Sequence, residues 1–166
     1  MKFDSATVQS RIDSPLGPII LAATPRGIAG LWFVERQRHA PDTTLWPHAP
    51  DHPLLRQAQR QLAEYFAGTR SRFDLALDLQ CGTAFQRAVW DGMLAIPHGG
   101  TTSYGDLSRR IGSPSAVRAV GAAVGRNPVS IMVPCHRVLG SGGTLTGYAG
   151  GLDRKTALLQ LEGALI

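Results

Sequence analysis

Val133-Pro134-Cys135-His136-Arg137-Val138 holds a thiol between a proline and a histidine, with an arginine one place further on. A cysteine becomes a strong nucleophile when its pKa falls or when a base lies beside it. His136 is the next residue, although neighbours in sequence need not touch. A histidine base also needs an orienting partner, usually a carboxylate. The C-terminal half offers Asp91, Asp106, Asp153 and Glu162, and spacing does not choose among them. The competing reading is a buried, inert thiol beside a hydrogen-bonded core histidine. Cys81 has no evident base and is expected to be structural. Two cysteines, with no apolar h-region at Met1-Lys2-Phe3-Asp4-Ser5, suggest reduced thiols in a cytoplasmic, intracellular chain.

The elements that must position this stretch form an α/β (α+β) chain. Val8 to Ile12, Pro18 to Thr24 and Gly27 to Val34 are short apolar or β-branched runs separated by turn signals, so an antiparallel meander is expected. Residues 35–52 read as a loop, and its three histidines, His39, His48 and His52, match no metal-site spacing. Pro53 opens a helix whose apolar face is Leu54, Ala58, Leu62 and Tyr65/Phe66, and Gly68 ends it. Alternation over Phe73 to Leu79 predicts a half-buried strand. This gives a small α/β domain over residues 1–80 with no catalytic constellation.

Residues 81–166 read as a mostly helical domain. Thr83 and Gln86 form a capping box before a helix lined by Phe85, Val89 and Met93. Ser103 can cap a short helix from Tyr104 to Ile111. Gly112-Ser113-Pro114 breaks it, and a second helix follows over about Ser115 to Gly125. Two short helices with a three- or four-residue break outline a helix-turn-helix. The second helix is nearly without bulk: Ala116, Ala119, Gly121, Ala122, Ala123 and Gly125 surround Arg118. A major-groove reader would carry several polar side chains. Small residues instead let the backbone approach a surface closely. Tight packing inside the protein would favour the same composition. The chain carries +5, with nine basic and eight acidic residues up to position 82 and eight basic and four acidic beyond it. Arg109, Arg110, Arg118 and Arg126 favour phosphate contact. A final helix runs from Leu152 to Glu162. No apolar run approaches the ~20 residues that span a bilayer.

Arg118-Ala119-Val120-Gly121, Asn127-Pro128, Ile131 and Pro134-Cys135-His136-Arg137-Val138 closely resemble the signature of the O6-alkylguanine-DNA alkyltransferases, the methylated-DNA–protein-cysteine methyltransferases. So do Ser103-Tyr104-Gly105 and Thr146-Gly147-Tyr148-Ala149-Gly150-Gly151, with Lys155 and Glu162. The likeness covers about residues 83 to 163, and Ser14-Pro15-Leu16-Gly17-Pro18 resembles part of the family's N-terminal domain.

The resemblance implies stoichiometric, irreversible transfer of an alkyl group from O6-alkylguanine in double-stranded DNA to Cys135. It leaves the range of alkyl groups and the use of O4-alkylthymine open. It implies that His136 takes the thiol proton through a bridging water, that Glu162 orients His136, and that Asn127 holds the network. Tyr104 would hydrogen-bond the base at N3. The carbonyls of Cys135 and Val138 would accept from the exocyclic amine, the Ala149 N–H would donate to O6, and Tyr148 would shape the wall. Ser103, Tyr104, Ala116, Val117, Arg118, Ala119, Gly121 and Ala122 would meet the minor groove, with Arg118 filling the place of a flipped nucleotide. A monomer, open to cooperative binding along DNA and with no membrane partner, is expected; the lack of a G-x-G-x-x-G or P-loop motif predicts no cofactor, and with Cys81 the one cysteine of the N-terminal half, the zinc that some relatives hold there is not expected. His98 and Gly100 stand where members often have an aromatic residue and a glutamate. Two other classes compete: a non-catalytic helix-turn-helix binder, and a cysteine hydrolase using Cys135 and His136.

Overall fold

The structure, a computed structural model, describes residues 1–165. Strands β1 (Val8–Ile12), β2 (Ile19–Thr24) and β3 (Gly27–Phe33) form an antiparallel meander in that order, with an irregularity between Ala22 and Ala23. The β1–β2 turn closes through Gly17 N–H to Ser14 O at 3.1 Å. Gly17 has φ 109°, a conformation that a side chain would strain.

Helix α1 (Pro53–Phe66) packs on the sheet through Leu55, Ala58, Leu62 and Tyr65. Leu54, expected on this face, is only partly buried, and Leu55 takes its place. A 3-4-3 spacing follows the 3.6-residue turn, whereas a constant spacing of four drifts around the helix. On the other side of the sheet, Phe3, Trp32 and Trp46 meet at ring separations of 5.2 to 5.8 Å. The loop carrying Trp46 is tied to β1 by Gln9 N–H to Pro47 O at 2.9 Å and Ala49 N–H to Gln9 O at 2.8 Å.

The strand expected over Phe73 to Leu79 does not form. The segment makes one bridge, Leu77 to Ile28. At its other end the Gln61 amide accepts from Asp74 N at 2.9 Å and donates to Asp74 O at 3.1 Å, so a helix side chain satisfies backbone that a ladder would have used. The edge of β3 is also shared. Beyond Ile28 it bonds the segment after α4, with Leu31 N–H to Pro128 O at 2.9 Å and Ser130 N–H to Leu31 O at 3.2 Å.

Helix α2 (Ala84–Leu94) begins at the expected capping box, with both reciprocal bonds made. Helices α3 (Tyr104–Arg110) and α4 (Val117–Gly125) pack on each other and on α2. The break between them, residues 111–116, is longer than expected. Pro114 lies in a turn closed by Ala116 N–H to Ser113 O at 3.0 Å, so α4 starts two residues later than the expected Ser115, and Ala116 caps it with no side-chain bond. Two-residue strands β4 (Thr102–Ser103) and β5 (Val138–Leu139) pair in parallel. Helix α5 (Leu152–Leu161) ends with Glu162 as its C-cap. One apolar core runs through the sheet, α1 to α4 and the segment 129–138. No helix among the described residues is long and apolar enough to cross a membrane.

Candidate active site

The chain reaches Cys135 through a braced turn. Asn127 Oδ1 accepts from Val129 N at 3.0 Å, and its Nδ2 donates to Val133 O at 2.7 Å. Between them Ile131 has φ 73°, a strained conformation for a β-branched residue. Pairing with β3 on one side and the Asn127 bonds on the other hold it there. Cys135, His136 and Arg137 then form a single 3₁₀ turn, with Cys135 N–H bonded to Val133 O at 2.8 Å. β5 continues from this turn and pairs with β4. That pairing sets Tyr104, the first residue of α3, beside the same cavity as Cys135.

Behind the thiol lies a buried polar cluster. His136 Nε2 is 2.5 Å from Glu162 Oε1. Arg137 donates to the same carboxylate from Nε at 3.0 Å and from Nη2 at 2.8 Å, and from Nη1 to Ile96 O at 2.6 Å. The Tyr65 hydroxyl, from α1, donates to Glu162 Oε1 at 3.3 Å. Burial opposes ionisation of Glu162, but the bonds and charges of His136 and Arg137 outweigh it and bring the carboxyl down to about 2. A carboxylate only accepts, so it fixes the proton of a neutral His136 on Nε2. Nδ1 is then the basic atom, and it is buried with no hydrogen-bond partner among the described residues. Burial lowers the His136 pKa against the pull of Glu162. Burial likewise raises the Cys135 thiol, although Asn127, Lys155 and Tyr148 favour its thiolate. The resting pair is therefore a neutral imidazole and a protonated thiol, the combination that needs a general base at the moment of attack.

Cys135 lines a cavity of about 240 Å³ with Tyr104, Gly121, Ala122, Tyr148, Ala149 and residues of a second loop, Arg38 and His39. The loop over Thr146 to Gly147 is pinned by the buried Lys155 ammonium, which donates to Val138 O, Thr146 O and Gly147 O at 2.7 to 3.0 Å. Burial brings Lys155 down to about 8. The Tyr148 hydroxyl is buried near Cys135 and Ser130, without a hydrogen bond of ordinary geometry among the described residues. The Cys135 carbonyl accepts from Val138 N–H and the Val138 carbonyl from Lys155 Nζ, and a carbonyl oxygen has two lone pairs.

The structure brings Cys135, Tyr104, Tyr148, Ala149, Gly121 and Ala122 to one cavity and His136, Glu162 and Asn127 behind it. Ser103 caps α3 by accepting from Asp106 N. Val117, Arg118, Ala119 and Ala122 are exposed on α4, Ala116 is half-buried at its cap, and Val120, Ala123 and Val124 face the core. The small residues thus serve both an outer and an inner face. Trp90 Nε1 anchors the inner one by donating to Ala123 O at 2.9 Å. Sequence reasoning missed Tyr65, Arg38 and His39, and gave Arg137 and Lys155 no role. Cys81 is half-buried, and burial followed by the Asp78 charge raises it to about 11, which suits an inert thiol.

Family models for 6-O-methylguanine DNA methyltransferase match twice: the ribonuclease-like domain at residues 8–79 and the DNA binding domain at residues 84–164. The methylated-DNA–protein-cysteine methyltransferase of Mycobacterium bovis is 50% identical over 151 residues, covering 91% of this chain and 89% of the relative. That of Methanosarcina acetivorans is 45% identical, covering 92% and 96%. The crystal structure of the Mycobacterium tuberculosis protein in complex with DNA superposes with a TM-score of 0.85 at 47% identity, covering 94% of this chain and 92% of that one. With both halves matched and identity sustained along nearly the whole length, this chain belongs to the methylated-DNA–protein-cysteine methyltransferase family.

Proposed function

We propose that Cys135 is the single-use alkyl acceptor of this DNA-repair methyltransferase and that His136, Glu162, Asn127 and Tyr104 serve it. The observation that carries this reading is a buried thiol lining an open cavity, backed by a histidine whose Nε2 is held by a carboxylate and whose Nδ1 is unengaged. The Cys135 sulfur attacks the carbon bonded to guanine O6. The S–C bond forms as the C–O6 bond breaks. The thiol proton passes to His136 Nδ1 through a bridging water, and Tyr104 donates to N3 so that guanine leaves neutral. His136 then returns its proton to Tyr104 by way of solvent. A thioether is left on Cys135, and the chain offers no group that would remove it, so each molecule acts once.

Within the cavity, the Ala149 N–H would donate to O6, the carbonyls of Cys135 and Val138 would accept from the exocyclic amine, and Tyr148 would close one wall. We infer that residues 81–166 carry this apparatus and that residues 1–80 form the second domain. The exposed face of α4, with small Ala119 and Ala122 beside Arg118, suits close approach to a minor groove, and Ser103, Tyr104, Ala116, Val117 and Gly121 would meet the same groove. On this reading, Arg118 occupies the stack while a flipped base enters the cavity of a monomer. Intact-mass measurement after incubation with O6-methylguanine duplex tests the reading. Wild type should gain one methyl and Cys135→Ser none. Absence of a gain in wild type under conditions where the oligonucleotide binds would overturn it.

A further inference from the structure

Residues 35–40 leave the end of β3 and cross to the cavity that holds Cys135, where Arg38 and His39 form part of its lining. This strap is fastened to the far half of the chain. Arg38 N–H donates to Ala149 O at 2.8 Å, and Arg154 Nη1 donates to Glu35 O at 2.7 Å. Arg36 and Asp153 add a two-bond fork at 2.9 and 3.2 Å, exposed and therefore a small contribution. Arg36 and His39 both sit at φ 61°, which costs of order 1 kcal/mol for each non-glycine residue and persists only where the surroundings impose it. These two residues bracket Arg38 in a strap whose Arg38 and His39 line the cavity. Arg126, the exposed C-cap of α4, stands near enough to His39 that it and Arg38 add to the effect of burial in lowering the imidazole pKa. Among the described residues, neither Arg38 nor Arg126 has a carboxylate in ion-pair range. Arg38 thus lines the cavity from the N-terminal half, and Arg126 follows Gly125, which lines it from the C-terminal half.

A base drawn into that cavity remains tied to its strand by two phosphodiesters, and these must lie at the mouth. A guanidinium fork matches phosphate oxygens bidentately. We propose that Arg38, with the neighbouring charge of Arg126, forms a phosphodiester subsite that holds the backbone of the entering nucleotide, so that the N-terminal half takes part in substrate binding. This rests on the reading of the cavity as the alkylguanine pocket.

The test compares full-length wild type, Arg38→Gln and Arg38→Lys in single-turnover reaction with O6-methylguanine duplex and with free O6-benzylguanine, across a salt series. Losing one charge-assisted phosphate contact should lower the duplex-to-free-base ratio of second-order rate constants about tenfold in Arg38→Gln. The slope of log affinity against log salt should become shallower by about 0.9. Arg38→Lys should keep the wild-type slope and recover part of the rate. An unchanged slope and ratio in Arg38→Gln overturns the subsite while leaving the pocket reading intact. Equal loss with both substrates overturns it too, because the strap would then only shape the cavity. Failure of wild type to react with either substrate defeats the pocket reading and this subsite together.

Discussion

Replacing Glu162 with glutamine probes the cluster behind the thiol without changing its size. In the native protein Oε1 receives His136, Arg137 and Tyr65, while Oε2 receives Arg137 Nε at 3.0 Å and His136 Nε2 at 3.1 Å. An amide has one acceptor oxygen, so its NH2 would face donors on the other side. The Glu162 carboxyl is held at about 2 against an ordinary 4.5. That displacement corresponds to about 3 kcal/mol of folding stability at neutral pH. Because the folded pKa is the lower one, the contribution is present above pH 4.5 and is lost as pH falls toward 2. Urea denaturation at neutral pH should therefore find Glu162→Gln weaker by about 3 kcal/mol, in line with breaking a buried ion pair. Below pH 4.5 the gap between variant and wild type should close. Alkyl transfer from free O6-benzylguanine, which isolates the chemistry from DNA contact, should slow by about 10²–10⁴. A variant that loses stability as steeply in acid as wild type, or that reacts at the wild-type rate, would refute the role given to this carboxylate.

Asn127→Ala removes two buried hydrogen bonds that brace the turn before Cys135. It should cost about 2–3 kcal/mol in urea denaturation, and a loss below about 0.5 kcal/mol would contradict the bracing role. Arg118→Ala should lower the duplex-to-free-base ratio of transfer rates sharply, and equal losses on both substrates would remove Arg118 from the stack. Burial holds His136 below its ordinary 6.5, so it stays neutral, and able to take a proton, down to lower pH than a free histidine. The rate of transfer should hold as pH falls to 6.5 and decline only below it, and an acid limb centred at or above 6.5 would exclude His136 as the base.

The meander and the capping box were legible because each depends on local pattern: β1 runs over the expected Val8–Ile12, and Thr83 and Gln86 lie three apart. The Phe73–Leu79 strand failed because alternation reports burial, and the Gln61 amide and a shared β3 edge consumed the bonds a strand needs. The β4–β5 pair is two residues long and has no periodicity to read, yet it sets Tyr104 beside the cavity of Cys135. Spacing left four carboxylates open for His136, and only the family likeness pointed to Glu162. Tyr65 lies 97 residues from Glu162 on an apolar helix face, where its hydroxyl looks incidental. Arg38 and His39 belong to a loop with no pattern, and their place at the cavity follows from bonds to Ala149 and Arg154 that only the fold creates.

Single use of Cys135 means that one cysteine is consumed per lesion. Titrating the protein with excess O6-methylguanine duplex, followed by peptide mapping, measures this directly. Repair should plateau at one equivalent per protein, with a single S-methyl group on the peptide containing Cys135. Continued turnover, or a methyl group on Cys81 in place of Cys135, would contradict it.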